Sequence, residues 1–531
     1  ALGSNTTAAT NTAIGYHALF TNTTGASNVA VGGAALLSNA TTSRNTAVGK
    51  GALQANINSD NTAVGYEALN DNTTGTQNDA FGYTSMDKQT TGSYNAAFGA
   101  LSAVSLNGGN RNSFFGNSAG SGVTTGSDNT LLGFKAGNSC TTSANNVAIG
   151  KEALYQNSTG GENIAIGREA FHATSTNSQN VAIGYRAGYN NSGSDVVFVG
   201  HECGYNNTGA RNTAVGHRAA MLTTSGTDNT SMGLGALRNN TTGNYNVAIG
   251  ASALFTNSTG GQNTAVGMYA LRYCTVGANT AVGNQALEDC STGSHNTAVG
   301  HDCAREISTG THNTAMGQGA LDTATTAGSN CAFGSGALND LTDGTYNIAI
   351  GYRSASYSTV LTGGHKNILI GSDASVSTAG ATGQIVIGTY QSLGKGNSTG
   401  FINPNGGGVY QGNNSTTWSQ TSDIRIKKNV VDNNTGLDKI NQIQVRNFEY
   451  KTEDEIKTDS PELTDVVSTA VVDKEGTQLG VIAQEIETIL PDVVKTEDTG
   501  VKSVDPDNLT WYMVNAIKEL TARVKELESR Q

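Results

Sequence analysis

The sequence predicts a mainly β fold: a repetitive β-solenoid, or β-roll, of 16–17-residue coils, followed by a small α+β domain that ends in a coiled-coil helix. Three observations predict it. A five-residue unit, Asn-x-Ala-x-Gly, recurs from Asn11-Thr12-Ala13-Ile14-Gly15 to a last copy ending at Gly388, giving 23 copies spaced 17 and sometimes 16 residues apart. Within each copy, apolar and small residues alternate with the period of a strand. After residue 421 the composition changes abruptly: 36 of the last 110 residues are charged, against 36 of the first 421.

Each coil reads as a strand, a short apolar segment and a turn. The residue ahead of the glycine is bulky and apolar, as at Ile14, Val31, Val48, Phe81, Phe98, Leu132 and Ile149. It is expected to fill the core, leaving an opposite face of Asn, Ala and Gly small enough for another backbone to approach. Three and four residues after the glycine comes Ala-Leu, as at Ala18-Leu19, Ala68-Leu69 and Ala153-Leu154, and then a polar turn such as "NTTG". One coil cannot bury its own apolar face, so like residues must stack on like at about 4.8 Å per coil, making a rod of roughly 110 Å. Stacking puts the motif asparagines in register, where their amides can form a ladder. The motif loses its asparagine at Val196 and Gln384, and three extra residues precede Gly371. A small face kept through so many coils predicts a trimer packed about an axis.

The repeat shaft is assigned to residues 1–392, a neck to 393–421 and the charge-rich domain to 422–531. All four prolines (Pro404, Pro461, Pro491, Pro506) and both tryptophans (Trp418, Trp511) follow residue 400. Ala1-Leu2 reads as the tail of a repeat, so further residues are expected ahead of it. No apolar run is long enough for a membrane span, and no signal peptide opens the chain, so membrane insertion is not expected. With a net charge of -12 and no basic stripe, nucleic acid is not an expected partner. Six cysteines without CxxC spacing argue against a zinc or redox site, and neither a metal nor another cofactor is expected.

Within the shaft, several residues invite chemistry. Cys203 and Cys303 occupy a slot that other coils fill with Ala, which makes them small core residues. Cys274 and Cys290 stand one coil apart, close enough to react, although free buried thiols are the plainer reading. Glu152 and Glu169 share a position in adjacent coils, as paired carboxylates for glycoside cleavage would, but Lys151 and Arg168 precede them and favour a solvated charge ladder. His201, His217 and His301 fall just after the motif glycine and read as solvated surface residues rather than metal ligands. Tyr16, Tyr66, Tyr83, Tyr185 and Tyr352 share that position, where a strip of rings suits either gripping a carbohydrate or capping the coil edge. Sequons such as Asn22-Thr23-Thr24 follow from composition alone.

From Ser422 the chain runs "SDIRIKKNV", "GLDKINQIQVRNFEYK", "LGVIAQEIETILPDVV" and "VDPDNLTWYMVNAIKELTARVKELESRQ". Asp505 is suited to cap a helix over about 506–530 with Pro506 at its first position. Met513, Ile517, Leu520, Val524 and Leu527 then alternate at four- and three-residue spacing, a coiled-coil seam. This order of motifs resembles the intramolecular chaperone auto-processing domain of phage tail fibres, tail spikes and endosialidases. The repeats resemble the head repeats of trimeric bacterial surface adhesins and the shaft repeats of tail fibres.

The resemblance implies that the domain trimerises, directs folding of the preceding fibre and then cuts itself off between Thr421 and Ser422. It implies a catalytic pair of Ser422 and Lys427. A serine hydroxyl is a weak nucleophile until a base takes its proton, and a desolvated lysine can be that base. The expectation is a homotrimeric tail or head fibre of a virion, made in the host cytoplasm. It would contact a glycan or protein receptor on the host surface and join other virion proteins through residues ahead of Ala1. No activity on an external substrate is expected. The alternatives are a bacterial trimeric surface adhesin, or a fibre with polysaccharide depolymerase activity.

Overall fold

The computed structural model describes residues 1–403, 409–412, 418–420, 424–466, 474–497 and 500–530. The chain forms two compact units, Ala1–Thr421 and Ser422–Gln531. In the first, 23 motif strands from β1 (Thr12–Ile14) to β23 (Ile385–Tyr390) occur among the described residues, most only three residues long. Each pairs in parallel with the strand one coil on, central residue against central residue, most often Ala against Ala, as in Ala30 with Ala47 and Ala265 with Ala281. This is the β-solenoid of stacked coils that the repeat predicts.

Between strands the backbone keeps bonding to the neighbouring coil. Leu19 N–H donates to Ala35 O at 3.0 Å, and Thr23 N–H to Ala40 O at 2.7 Å. These bonds require left-handed residues at fixed positions. In one coil Ser27, Ala34 and Leu36 have φ of 60°, 59° and 51°, and later coils repeat the pattern. The motif glycine is left-handed as well, and stacks on its counterpart so closely that a Cβ on Gly65 would sit 2.2 Å from Gly82 O. No side chain fits there.

The two faces of the strand are the reverse of those expected. The central Ala is fully buried (Ala30, Ala47, Ala63, Ala80), whereas the residue before the glycine lies on the outer face, with Ile14 61% exposed and Val48, Phe115 and Met232 also exposed. The reason is the thinness of the roll. Inside each coil the strand Ala meets the Ala-Leu pair, as Ala30 does Ala35 and Leu36, and Leu already fills the space. Where the central residue grows, the Leu slot empties: Phe114 is paired with Gly120, Leu131 with Gly137 and Phe198 with Gly204. The outer residues therefore form an apolar row along the unit, in which Phe81, Phe98 and Phe115 stack at 4.6 and 4.8 Å.

Inside the coil, the motif asparagines form the expected ladder. Asn28 Oδ1 accepts from Asn45 N–H at 2.9 Å, and Asn28 Nδ2 donates to Thr42 O at 2.9 Å. Val196 still donates its N–H to Asn180 Oδ1 at 3.1 Å but offers the next coil no side-chain acceptor. Gln384 likewise donates its backbone N–H, to Asn367 Oδ1.

The segment read as a neck is partly strand. Gly400–Asn403 adds in parallel to β23, and Val409–Gln411 and Trp418–Gln420 follow as antiparallel strands.

The second unit is small and mixed. Strands Arg446–Phe448 and Gln478–Gly480 pair antiparallel, as do Val494–Thr496 and Lys502–Val504. Helix Glu453–Asp459 starts in a capping box between Thr452 and Glu455. Helix Pro506–Ser529 starts as the sequence predicts, with the Asp505 carboxylate accepting from Asp507 N–H at 3.0 Å and Asn508 N–H at 3.3 Å. Its core is slight: Ile486, Leu490 and Val493, with Ile443, Val481, Val504, Leu509 and Tyr512 packed around them. The helix seam, Met513, Ile517, Leu520, Val524 and Leu527, is exposed throughout.

Candidate functional site

Ser422, together with Thr421 and Asp423, lies outside the described residues. Lys427 follows a short 3-10 turn, Ile424–Ile426, and its N–H donates to Ile424 O at 3.1 Å while its side chain is exposed. A few residues on, the chain is moored to the long helix. Leu437 N–H donates to Glu519 Oε2 at 3.0 Å, and Asn515 Nδ2 donates to Asn433 O at 2.7 Å. Gly436 passes so close that a Cβ there would lie 2.3 Å from Ala516 N, so only glycine allows this approach.

Around that mooring, Asn433, Asp492, Asn508, Trp511, Tyr512 and Asn515 line a small concavity. Tyr512 Oη donates to Asp492 Oδ2 at 2.6 Å, which pushes the phenol above its ordinary range, with burial adding to the effect. Apart from Trp511, which marks the change in composition, these residues belong to no motif of the sequence. Their signal is the spacing of Asn508, Tyr512 and Asn515, four and then three residues apart, which places them on one helix face. The helix thus has two distinct surfaces, one holding its own chain and one left as an apolar seam.

The shaft candidates resolve differently. Cys203 and Cys303 are fully buried, each thiol donating to a strand carbonyl (Ala214 O at 3.1 Å, Ala315 O at 3.3 Å), and burial pushes both up to about 12. They are core residues, as expected. Cys274 and Cys290 are free thiols with Sγ atoms 3.5 Å apart.

Glu169 is not the solvated residue expected. It is buried, with Oε1 2.8 Å from Arg168 Nε and Oε2 2.6 Å from Arg186 Nε. Burial alone would raise its carboxyl, but the hydrogen bonds from Arg186 and Arg168 outweigh burial and hold it below the usual range. A carboxylate kept ionised in this way cannot serve as the acid of a glycosidase pair. Its would-be partner, Glu152, faces Lys151 at 3.7 Å and His172 at 3.8 Å.

His201, His217 and His301 are exposed, with His201 stacked on His217 at 5.0 Å. Among the described residues, no group of three His, Cys, Asp or Glu side chains is placed to hold a metal ion. In the tyrosine strip, Tyr66 and Tyr83 stack at 5.4 Å, turning ring faces towards each other. That geometry favours capping of the coil edge over a sugar platform.

No helix among the described residues is long and apolar enough to cross a membrane. No solved structure matches the chain. Residues 422–495 match the family model described as the chaperone of endosialidase, and the match begins at the residue where the second compact unit begins. Through that domain, carried after a long β-solenoid shaft, the chain fits a tail-fibre or endosialidase-type protein.

Proposed function

We propose that the protein is a structural fibre of a virus particle, a tail or head fibre, in which three copies assemble along their shafts under the direction of the C-terminal unit. That unit then cuts itself from the shaft between Thr421 and Ser422. The observation that carries this reading is the outer apolar row. It recurs in every coil, its members exposed or half-buried, and a row of Val, Ile, Leu, Phe and Met of this length is more than a lone soluble chain ordinarily leaves in water. A partner for such a row must repeat at the spacing of the coils. A second and third copy of the same chain do so by construction.

The helix seam supports the same conclusion at smaller scale. Leu527 is 64% exposed and Ile517 62%, in a unit whose own core is a handful of residues. Two heptads are too short to hold chains together unaided, so the seam works together with the shaft row. The apolar row replaces the Ala/Gly face as the surface for self-association, because that face is closed inside each coil.

For the cleavage, the Ser422 hydroxyl attacks the carbonyl carbon of Thr421 while the Lys427 amine takes its proton; the Thr421–Ser422 C–N bond breaks as that proton passes to the Ser422 nitrogen, and water then hydrolyses the Thr421 ester and frees the Ser422 hydroxyl. Cutting after assembly leaves a shaft that cannot use its chaperone to refold or exchange, and so is held kinetically. The assembled fibre would meet a glycan or protein receptor on the host surface and join other virion proteins.

The test is intact mass and N-terminal sequencing of the expressed chain beside Ser422→Ala and Lys427→Ala, with sedimentation of each. A fragment beginning Ser422-Asp423-Ile424 in the parent, absent from both variants, with a shaft sedimenting as three copies, is expected. An uncut parent removes the self-processing role. A monomeric shaft removes the assembly.

A further inference from the structure

The cysteine pair in the middle of the shaft stands in a slot where nine of the coils place an asparagine. Seven residues after the motif glycine, Asn56, Asn72, Asn240 and Asn257 turn inward and bond from coil to coil, as Asn72 Nδ2 does to Asn56 Oδ1 at 2.6 Å. Cys274 and Cys290 replace two consecutive members of that ladder, and both are fully buried. Each retains the local bond of the slot through sulfur, Cys274 to Val276 O at 3.5 Å and Cys290 to Gly293 O at 3.1 Å. Between them the Sγ atoms lie 3.5 Å apart.

The backbone on both sides is fixed at the coil spacing. Tyr273 N–H donates to Glu288 O at 3.0 Å and Thr275 N–H to Ser291 O at 3.1 Å. In-register neighbours in a parallel stack are about 4.8 Å apart at Cα, inside the range of roughly 4.4–6.8 Å that a disulfide spans. A bond between these sulfurs therefore needs only side-chain rotation. The remaining thiols have no such neighbour. Cys140, Cys203 and Cys303 each point at a backbone carbonyl, of Leu154, Ala214 and Ala315 respectively.

We propose that Cys274 and Cys290 are a redox-modified site: they close an intercoil disulfide when the protein meets a low-molecular-weight disulfide such as oxidised glutathione. The thiolate forms at Cys274, whose sulfur accepts from Asn279 Nδ2 at 3.5 Å and lies 3.5 Å from the Cys290 sulfur. It attacks one sulfur of the small disulfide, forming a mixed disulfide and releasing one small thiolate, which takes up the proton that Cys274 lost. Cys290 sulfur then attacks the Cys274 side of the mixed disulfide, releasing the second small thiol with the proton from Cys290. Two electrons and two protons leave the protein, and one disulfide becomes two thiols. Because both sulfurs are buried, the exchange proceeds through brief opening of the coil pair, and reduction of the product is slow for the same reason. The bond staples two coils in a shaft otherwise held by hydrogen bonds and packing.

The test uses the full chain, refolded or held for days with oxidised glutathione, then acid-quenched, unfolded and alkylated. One tryptic peptide, Tyr273–Arg305, contains Cys274, Cys290 and also Cys303. It should be lighter by two hydrogens and carry one alkyl group, on Cys303, and cleavage after Glu288 should leave its two parts linked. A Cys274→Asn, Cys290→Asn double variant restores the ladder residue of the other coils, and should fold and show no oxidant-dependent change in the resistance of its strand signal to denaturant. Six alkylated thiols after oxidation, a glutathione adduct that never resolves, or a bond at Cys303 would each overturn the proposal.

Discussion

Phe198 and Gly204 allow a direct test of how the coil interior is filled. Many coils put Ala at the strand centre and a left-handed Leu facing it, as in Ala47 with Leu53. At this coil the sizes are exchanged: Phe198 is fully buried, and a Cβ on Gly204 would meet three of its ring atoms at 2.6 Å. Phe198→Ala alone empties a ring-sized space and should cost about 3–5 kcal/mol. Gly204→Leu alone drives a side chain into the ring and should cost at least about 1–3 kcal/mol. The backbone is not the obstacle, since Gly204 has φ 58° and Leu53 takes φ 52° in the same slot. The double variant recreates the common Ala and Leu pair, and should lie within about 1 kcal/mol of the parent, a coupling of at least about 3 kcal/mol. Because repeats open locally, the readout is hydrogen exchange at amides bonded across this coil, Gly204 N–H to Ala219 O and Gly200 N–H to Ile183 O. A double variant as exposed to exchange as the sum of the two single changes would refute the slot argument.

Two further outcomes follow from the same geometry. Glu169, with its carboxyl lowered by the two arginines, contributes stability that is fully present above the unfolded value of about 4.3 and is lost as pH falls through the lower folded value. The melting difference between the parent and Glu169→Gln should therefore be widest near neutrality and close on acidification; a gap that widens in acid would contradict this. Asn246 accepts from Asn263 N–H at 3.1 Å and donates to Gly260 O at 2.9 Å and Asn229 Oδ1 at 3.1 Å. Asn246→Ala should cost about 1–3 kcal/mol by leaving buried partners unpaired, with faster exchange at the amide of residue 263 as the check.

The period, the parallel register and the asparagine ladder were legible in the sequence, because in-register stacking makes each of them a repeat of single residues. The long helix was legible from Asp505, Pro506 and the spacing of its seam. What the sequence did not tell was which side of the strand is inside. Alternation gives two faces but no sign, and the usual rule that Val and Ile go inward fails here because the coil interior, filled in many coils by the Leu four residues after the glycine, is too thin for both. Glu169 was misread for a related reason. Its burial depends on Arg186, which reaches it from the next coil, a contact visible only once the coils are stacked. The grip of Asn515 and Glu519 on residues 433–437 joins positions about eighty apart, which local pattern does not encode.

The left-handed residues of each coil have a consequence for how such a chain comes to exist at all. Three non-glycine positions of this kind, as at Ser27, Ala34 and Leu36, cost about 1–2 kcal/mol each before any neighbour is present. A lone coil is therefore uphill by several kcal/mol, and becomes favourable only when it lands on a coil already formed. The shaft grows as a one-dimensional crystal does, readily from an existing face and hardly at all without a seed. Supplying that first face, rather than guiding each later coil, is the step at which an assembly factor has the most to contribute.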